Sequence, residues 1–335
     1  MTLNILDCTL REGGHAVDNK FDSELTRKIL FGLEMAGIKL IEMGHERGLG
    51  ASKRSGKTAL LTDEEYIDLA KDCLKEAKFG FICQKKFATL DDIKIASERG
   101  ADFIRIATNI TEVDQVEDFI KFAKNQGLIV FVALAKAHTV PDMTEYINIL
   151  NKLQKWGTDL ATLMDSTGTM LPEDVERYIN FAKTNIDLDV GFHAHNNLQL
   201  AVANVVTAIK AGVDVVDVSI GGLARSAGNA PTEILALVLK KYGWANCLDY
   251  KILSDLNDKL IFPLIKEENR FSSKAITFGF AGFHSHFFPL VEKINEKYPQ
   301  IDYRDIIIEL STIEQTNLNE EIVEKAAVNI LERQK

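Results

Sequence analysis

The stretch Leu188-Asp189-Val190-Gly191-Phe192-His193-Ala194-His195-Asn196-Asn197 runs from a short apolar segment into a polar cluster. In an extended chain, side chains two residues apart point to the same side, so His193 and His195 face one point. The beginning of the chain repeats the arrangement: an apolar run from Leu3 to Leu6 leads within a few residues into Leu10-Arg11-Glu12-Gly13-Gly14-His15. A cation, a carboxylate and an imidazole thereby share one glycine-loosened turn, where backbone and side chains can converge on a small ligand. Together Glu12, His193 and His195 form a two-histidine, one-carboxylate set suited to a divalent metal.

Whether the two segments meet is a question of fold. Strand-like runs recur at Leu3–Leu6, Lys39–Met43, Phe79–Cys83, Phe103–Ala107, Leu128–Leu134, Leu160–Met164, Leu188–Phe192 and Val215–Ile220, with an amphipathic helical stretch between each pair. Eight such β-then-α units in this length fit a (β/α)8 barrel. Five helical stretches stop at a glycine just before the next strand, at Gly37, Gly100, Gly127, Gly157 and Gly212. That is the signature of a helix ending in the left-handed conformation. A doubly wound sheet would carry the same local pattern, so the placement of polar groups has to decide. Arg11, Glu12 and His15 follow the first strand, His45 the second, His138 the fifth, Asp165 and Ser166 the sixth, and His193 and His195 end the seventh. Strands so far apart in order aim at one cavity only if the sheet closes on itself. The expected fold is therefore α/β: a TIM barrel over residues 1–245 with a helical C-terminal domain over 246–335. In the latter, strand rhythm gives way to helical periodicity, as in Ile306-Ile307-Ile308-Glu309-Leu310, and the remaining histidines, His284 and His286, are found.

Composition narrows the function classes. With 335 residues and 46% hydrophobic content the chain can bury a large core. A net charge of -10 argues against nucleic acid as a partner, and the small basic cluster Lys53, Arg54 and Lys57 does not reverse it. The four cysteines, Cys8, Cys73, Cys83 and Cys247, show no paired spacing, and the start Met-Thr-Leu-Asn has no leader-like pattern. Both point to a reduced, cytoplasmic protein. Apolar stretches are short and broken by charge, so no membrane span is expected.

For the metal, a mixed oxygen and imidazole set with room for a chelating substrate favours six-coordinate Mn2+ or Mg2+ over tetrahedral zinc. The guanidinium of Arg11 would stabilise an oxyanion or enolate forming beside that ion. Residues 51–58, Ala51-Ser52-Lys53-Arg54-Ser55-Gly56-Lys57-Thr58, fit a permissive phosphate-loop pattern but fail on context. The preceding strand ends near Met43, and the next helix is announced only by the capping box Thr62 to Glu65. The segment Gly44 to Thr58 reads instead as a mobile cationic lid.

Several of these motifs resemble the metal-dependent aldolases of the DRE-TIM metallolyase superfamily, most nearly the 4-hydroxy-2-oxovalerate aldolase branch. They are Asp7-Cys8-Thr9-Leu10-Arg11-Glu12-Gly13-Gly14-His15, Ile41-Glu42-Met43-Gly44-His45, Met164-Asp165-Ser166, His193-Ala194-His195-Asn196-Asn197-Leu198, Ser226-Ala227-Gly228-Asn229-Ala230-Pro231 and Gly279-Phe280-Ala281-Gly282. The resemblance implies cleavage of a 4-hydroxy-2-oxo acid to pyruvate and an aldehyde. It implies that Glu12, His193 and His195 hold the metal, with Asn229 as a further ligand or water partner. Ser166 would contact the substrate carboxylate, Arg11 the developing enolate, and His15, with a near-neutral pKa, would be the general base for the C4 hydroxyl. Asp165, His45 and His138 are counted among the substrate-binding residues.

Two departures stand out. Glu12 replaces the aspartate usual in the aldolase branch and is shared with the homocitrate synthases. His284 replaces a tyrosine that positions the substrate or the base. The resemblance further implies an acylating aldehyde dehydrogenase as a partner, docked on the C-terminal helices, and is compatible with a homo-oligomer.

Two other functions compete with aldol cleavage. A Claisen condensing enzyme using acetyl-CoA and a 2-oxo acid would share Glu12 and the His-x-His pair, but such enzymes carry Glu-Gln where this chain has Gly14-His15. A 3-hydroxy-3-methylglutaryl-CoA lyase would need a loop cysteine that is missing between Gly221 and Asn229. The remaining alternative is a barrel that binds metal without catalysing a reaction.

Overall fold

The computed structural model describes residues 3–244, 248–265, 272–314 and 317–333. Its strands are β1 (Asn4–Asp7), β2 (Leu40–Met43), β3 (Lys78–Cys83), β4 (Phe103–Asn109), β5 (Ile129–Ala135), β6 (Leu160–Asp165), β7 (Asp189–Ala194) and β8 (Val215–Val218). Each starts within one residue of the apolar run that signals it. Neighbours pair in parallel in chain order, and β8 returns to β1 with Asn4 opposite Val215 and Asp7 opposite Val218. The sheet is closed, and helices lie between the strands.

Two-residue alternation sorts the strand side chains. Ile41, Met43, Ile104, Ile106, Val130, Val132, Val190, Phe192, Val216 and Val218 join the main core between sheet and helices. The intervening residues face inward. At one end of the interior Leu6, Phe103, Phe131, Leu160 and Val215 form a separate apolar plug, with the rings of Phe103 and Phe131 stacked at 4.9 Å. Two residues beyond Phe103, Leu160 and Val215, and beyond Leu40 that packs against the plug from β2, the inner face is polar: Glu42, Arg105, Thr162 and Asp217 are all buried. The apolar plug and this charged layer account for the barrel's packed interior.

Local signals set the helix ends. Gly100 and Gly157 cap their helices at φ 103° and 97°, a left-handed conformation costly for other residues. The Thr62 and Glu65 capping box is formed in both directions, at 3.2 Å and 2.7 Å. The expectation of a loose lid over residues 44–58 is corrected. Ala51–Arg54 forms a helical turn, Leu49 is buried, and Arg54 is fixed by Asp92 at 2.7 Å and by the Phe87 carbonyl at 2.8 Å. Lys53 and Lys57 also spend their charge locally, on Glu64 and on Asp18 and Glu46.

After the barrel, the helix Tyr250–Leu256 still belongs to it. Leu253 and Leu256 lie in the main core, and a methyl group on Gly32 would meet Leu256 at 2.5 Å. A second core, including Phe278, Phe283, Val291, Ile306, Leu310 and Val323, joins the helices Ser273–Phe280, Phe288–Lys297, Tyr303–Leu310 and Glu320–Arg333. The expected boundary at 245/246 and Cys247 lie outside the described residues. Among the described residues the cysteines are unpaired, and no helix is long and apolar enough to cross a membrane.

Candidate metal centre

β1 delivers the first half of the site. Its chain turns at once into two short helices, Thr9–Glu12 and Gly14–Val17. Here the glycines serve close approach rather than a left-handed turn: Gly13 has φ -60°, and a Cβ on it would meet the Thr9 carbonyl at 2.4 Å and Leu223 at 2.6 Å. The tight turn buries Arg11 and Glu12 at the barrel mouth. β7 delivers the second half. His193 and His195 project from alternate positions of its end, both buried, with ring centroids 5.0 Å apart.

The two halves meet. Glu12, His193 and His195 each offer a ligand atom within 4.8 Å of the others, and His193 Nε2 lies 4.0 Å from Glu12 Oε1. Glu12 Oε2, His193 Nε2 and His195 Nδ1 are buried without hydrogen-bond partners. Unpaired buried lone pairs are costly, and a cation held by these three residues would relieve them, so the set fits a divalent ion. Asn229 joins them. It is buried, both amide atoms lack partners, and its backbone bridges to that of His195.

Charge inside the barrel organises the set. Arg11 Nη1 pairs with Glu12, and Arg11 Nε donates to Glu42 Oε1 at 2.5 Å. Arg105 spans the interior from Glu42, at 3.4 Å, to Asp217. Asp217 Oδ2 accepts from His193 Nδ1 at 2.9 Å, which leaves Nε2 as the ring's lone-pair nitrogen. A carboxylate behind a ligating histidine fixes its tautomer and direction. Burial alone would raise the pKa of Glu12, but the Arg11 guanidinium beside it outweighs burial and holds it well below the ordinary carboxylate range. Burial likewise opposes Asp217, and Arg105 and His193 outweigh it. Burial, with Arg225 adding to it, holds the His195 pKa well down, so its ring is neutral and free to ligate.

A second group, Cys8, His193 and Asp217, has the spacing of a metal site and shares His193. It is the weaker candidate. Asp217 is engaged by both Arg105 and His193, and burial raises the Cys8 pKa well above its ordinary value, which keeps the thiol protonated.

The other expected residues divide. His15 lies at the rim with Nδ1 3.5 Å from Glu46 Oε2. Enclosure lowers its pKa to about 3, well below the near-neutral value expected, against the opposing pull of Glu12. Ser166 is buried, and its Oγ accepts from the Lys136 N–H at 2.9 Å, leaving its own proton to donate.

Asp165 and His45 are directed elsewhere. The Asp165 carboxylate accepts N–H bonds from Thr169 at 2.9 Å and Met170 at 3.2 Å, and burial raises its pKa to about 7. It shapes the loop that carries Ser166. His45 spends Nδ1 on the Arg47 N–H at 3.0 Å and Nε2 on the Lys57 carbonyl at 3.1 Å, so it fastens the 44–58 segment. His138 packs on Gly282, where a Cβ would lie 3.4 Å from Nε2, and burial lowers its pKa to about 4 against the backbone of Gly282. His284 is half-buried, its ring 5.4 Å from that of His286, and burial followed by the field of Arg225 keeps it neutral.

Glu42, Arg105 and Asp217 were not singled out from the sequence, yet a signal exists. Each is the lone charge in an apolar strand: Leu40-Ile41-Glu42-Met43, Phe103-Ile104-Arg105-Ile106 and Val215-Val216-Asp217-Val218. Such a charge has to be paired inside a closed barrel. Glu46, behind His15, and Arg225 carried no comparable signal.

Comparison with known proteins identifies the family. Residues 2–260 match the family model described as HMGL-like. A protein of Carboxydothermus hydrogenoformans named 4-hydroxy-2-oxovalerate aldolase is 35% identical over 328 residues, covering 98% of this chain and 97% of the relative. One of the same name from Moorella thermoacetica is 32% identical, with 99% and 98% covered. Among solved structures, the N-terminal domain of a candidate aldolase from Bacteroides vulgatus superposes with a TM-score of 0.74 at 24% identity, covering 91% of this chain and 99% of that one. The carboxyl transferase domain of Rhizobium etli pyruvate carboxylase gives 0.77 at 14% identity, covering 99% and 60%. These two likenesses concern the fold.

Proposed function

The chain belongs to the HMGL-like family, and from that premise we propose that it is a divalent-metal-dependent aldolase that cleaves a 4-hydroxy-2-oxo acid to pyruvate and an aldehyde. The observation that carries the reading is that Glu12, His193 and His195 each bring a ligand atom within 4.8 Å of the others, while Glu12 Oε2, His193 Nε2 and His195 Nδ1 are buried without hydrogen-bond partners. Glu12, His193 and His195 would hold Mn2+ or Mg2+, with Asn229 as a further ligand or water partner. Such an ion, when bound, supplies a Lewis acid that polarises the keto oxygen of the 2-oxo acid.

The chain's own groups would do the rest. Ser166 donates its hydroxyl proton to the substrate carboxylate. Neutral His15, at the rim with Nδ1 3.5 Å from Glu46 Oε2, takes the proton from the C4 hydroxyl. The C4–O bond becomes a carbonyl, the C3–C4 bond breaks, and its electron pair passes to C3 and the keto oxygen as an enolate. Arg11, fixed by Glu12 and Glu42, faces that charge without having to reorganise. Return of the proton held by His15 to C3 completes pyruvate and restores the neutral ring. The reading extends, on the family resemblance, to an acylating aldehyde dehydrogenase docked on the C-terminal helices.

The test is pyruvate release from several 4-hydroxy-2-oxo acids with and without Mn2+, on wild type and His15→Ala. Metal-dependent pyruvate is expected from the wild type, with a loss of about 10²- to 10⁴-fold in kcat for the variant. No pyruvate from any substrate would end the aldolase reading, and an unchanged rate in His15→Ala would remove the assigned base.

A further inference from the structure

Arg11, Arg105 and Arg225 lie in or beside the barrel interior and differ in how their charge is met. Arg11 is held between Glu12 and Glu42, and Arg105 between Glu42 and Asp217. Arg225 has no carboxylate within ion-pair distance among the described residues. Its Nη2 donates to the Ser166 carbonyl at 3.0 Å and lies 3.5 Å from His195 Nε2. Enclosure lowers its pKa, yet a guanidinium stays charged at any ordinary pH. An enclosed cation without an anion is costly, and a protein with net charge -10 does not lack carboxylates that could have neutralised it.

The side chain is held in place. Its loop is fixed by Asn197 Nδ2 donating to Ser226 Oγ at 3.1 Å, by the Gly228 N–H donating to the Arg225 carbonyl at 3.1 Å, and by the Asn196 N–H donating to the Gly228 carbonyl at 2.8 Å. Ser226 sits at φ 55°, a conformation seldom adopted without compensation. Arg225 is half-buried, so a ligand can reach it.

Charge balance identifies what would complete it. Glu12, Glu42 and Asp217 outnumber Arg11 and Arg105 by one negative charge, so a divalent ion leaves the cluster with one positive charge and Arg225 makes it two. The enolate of a 2-oxo acid, with its carboxylate, is a dianion. Building on the aldolase reading, we infer that Arg225 is a catalytic residue that binds the C1 carboxylate of the 2-oxo acid beside Ser166 and balances the charge of the enolate state.

The test uses oxalate, a dianion with the shape of that enolate, titrated calorimetrically into the Mn2+-loaded full chain. Arg225→Ala should bind oxalate about 10- to 100-fold more weakly, as expected for loss of a charge-assisted contact, and Arg225→Lys should recover part of it. Mn2+ affinity and the far-ultraviolet circular dichroism of both variants should match the wild type, which separates lost anion binding from lost folding. Equal oxalate affinity in wild type and Arg225→Ala would overturn the inference. So would unchanged oxalate affinity combined with loss of cleavage only for substrates bearing a second carboxylate, since Arg225 would then serve the aldehyde half. If wild type binds oxalate through Arg225 but releases no pyruvate, the aldolase reading fails while the anion site stands.

Discussion

His193 illustrates how one residue's role depends on what lies behind it. Its Nε2 is free only because Nδ1 donates to Asp217, itself held by Arg105. Asp217→Asn keeps the shape but puts an amide where the charged acceptor was. Mn2+ affinity, read by titration, should fall about 10- to 100-fold, the usual cost of losing a second-layer carboxylate. Unchanged affinity would mean that Asp217 serves only the barrel's interior. At this scale the sequence was informative about identity but not about orientation. His45 follows a strand just as His195 does, yet both its nitrogens are consumed by the backbone of the segment it fastens. Asp165 likewise turns to loop N–H groups. Position after a strand puts a side chain near the mouth, while its bonding partners come from other loops.

Among the elements, the turn from Thr9 to Val17 is the most tightly constrained. Gly13 leaves no room for a methyl group between the Thr9 carbonyl and Leu223. Gly13→Ala should destabilise the protein by about 1–3 kcal/mol, the usual cost of overpacking, as seen in urea denaturation. Because Arg11 and Glu12 lie just before Gly13, Mn2+ binding should weaken as well. Full stability and full affinity in this variant would show that the turn can shift at no cost. Elements were the most legible level of the chain: strand starts, glycine stops and the Thr62 capping box are written in short windows of sequence. The 44–58 segment was not, because its glycines and lysines look the same whether loose or fastened. What fixes it is Asp92, from a helix far along the chain.

For the whole molecule, closure of the sheet creates an interior in which three strands each place one charge. Arg105→Leu would leave Glu42 and Asp217 facing each other without their shared cation. Breaking a buried pair from one side typically costs about 3–5 kcal/mol, so a clear fall in the denaturation midpoint is expected. A midpoint equal to wild type would mean that water enters the barrel and screens those carboxylates.

The sequence alone determined the strand and helix rhythm, the order of units and the candidate ligands Glu12, His193 and His195, because apolar periodicity and cap chemistry act over a few residues. The tertiary structure alone decided which charges compensate one another. Arg105 is 63 residues from Glu42 and 112 from Asp217, and no local pattern records such pairings. The same holds for Arg225, whose lack of a carboxylate partner among the described residues is visible only in three dimensions.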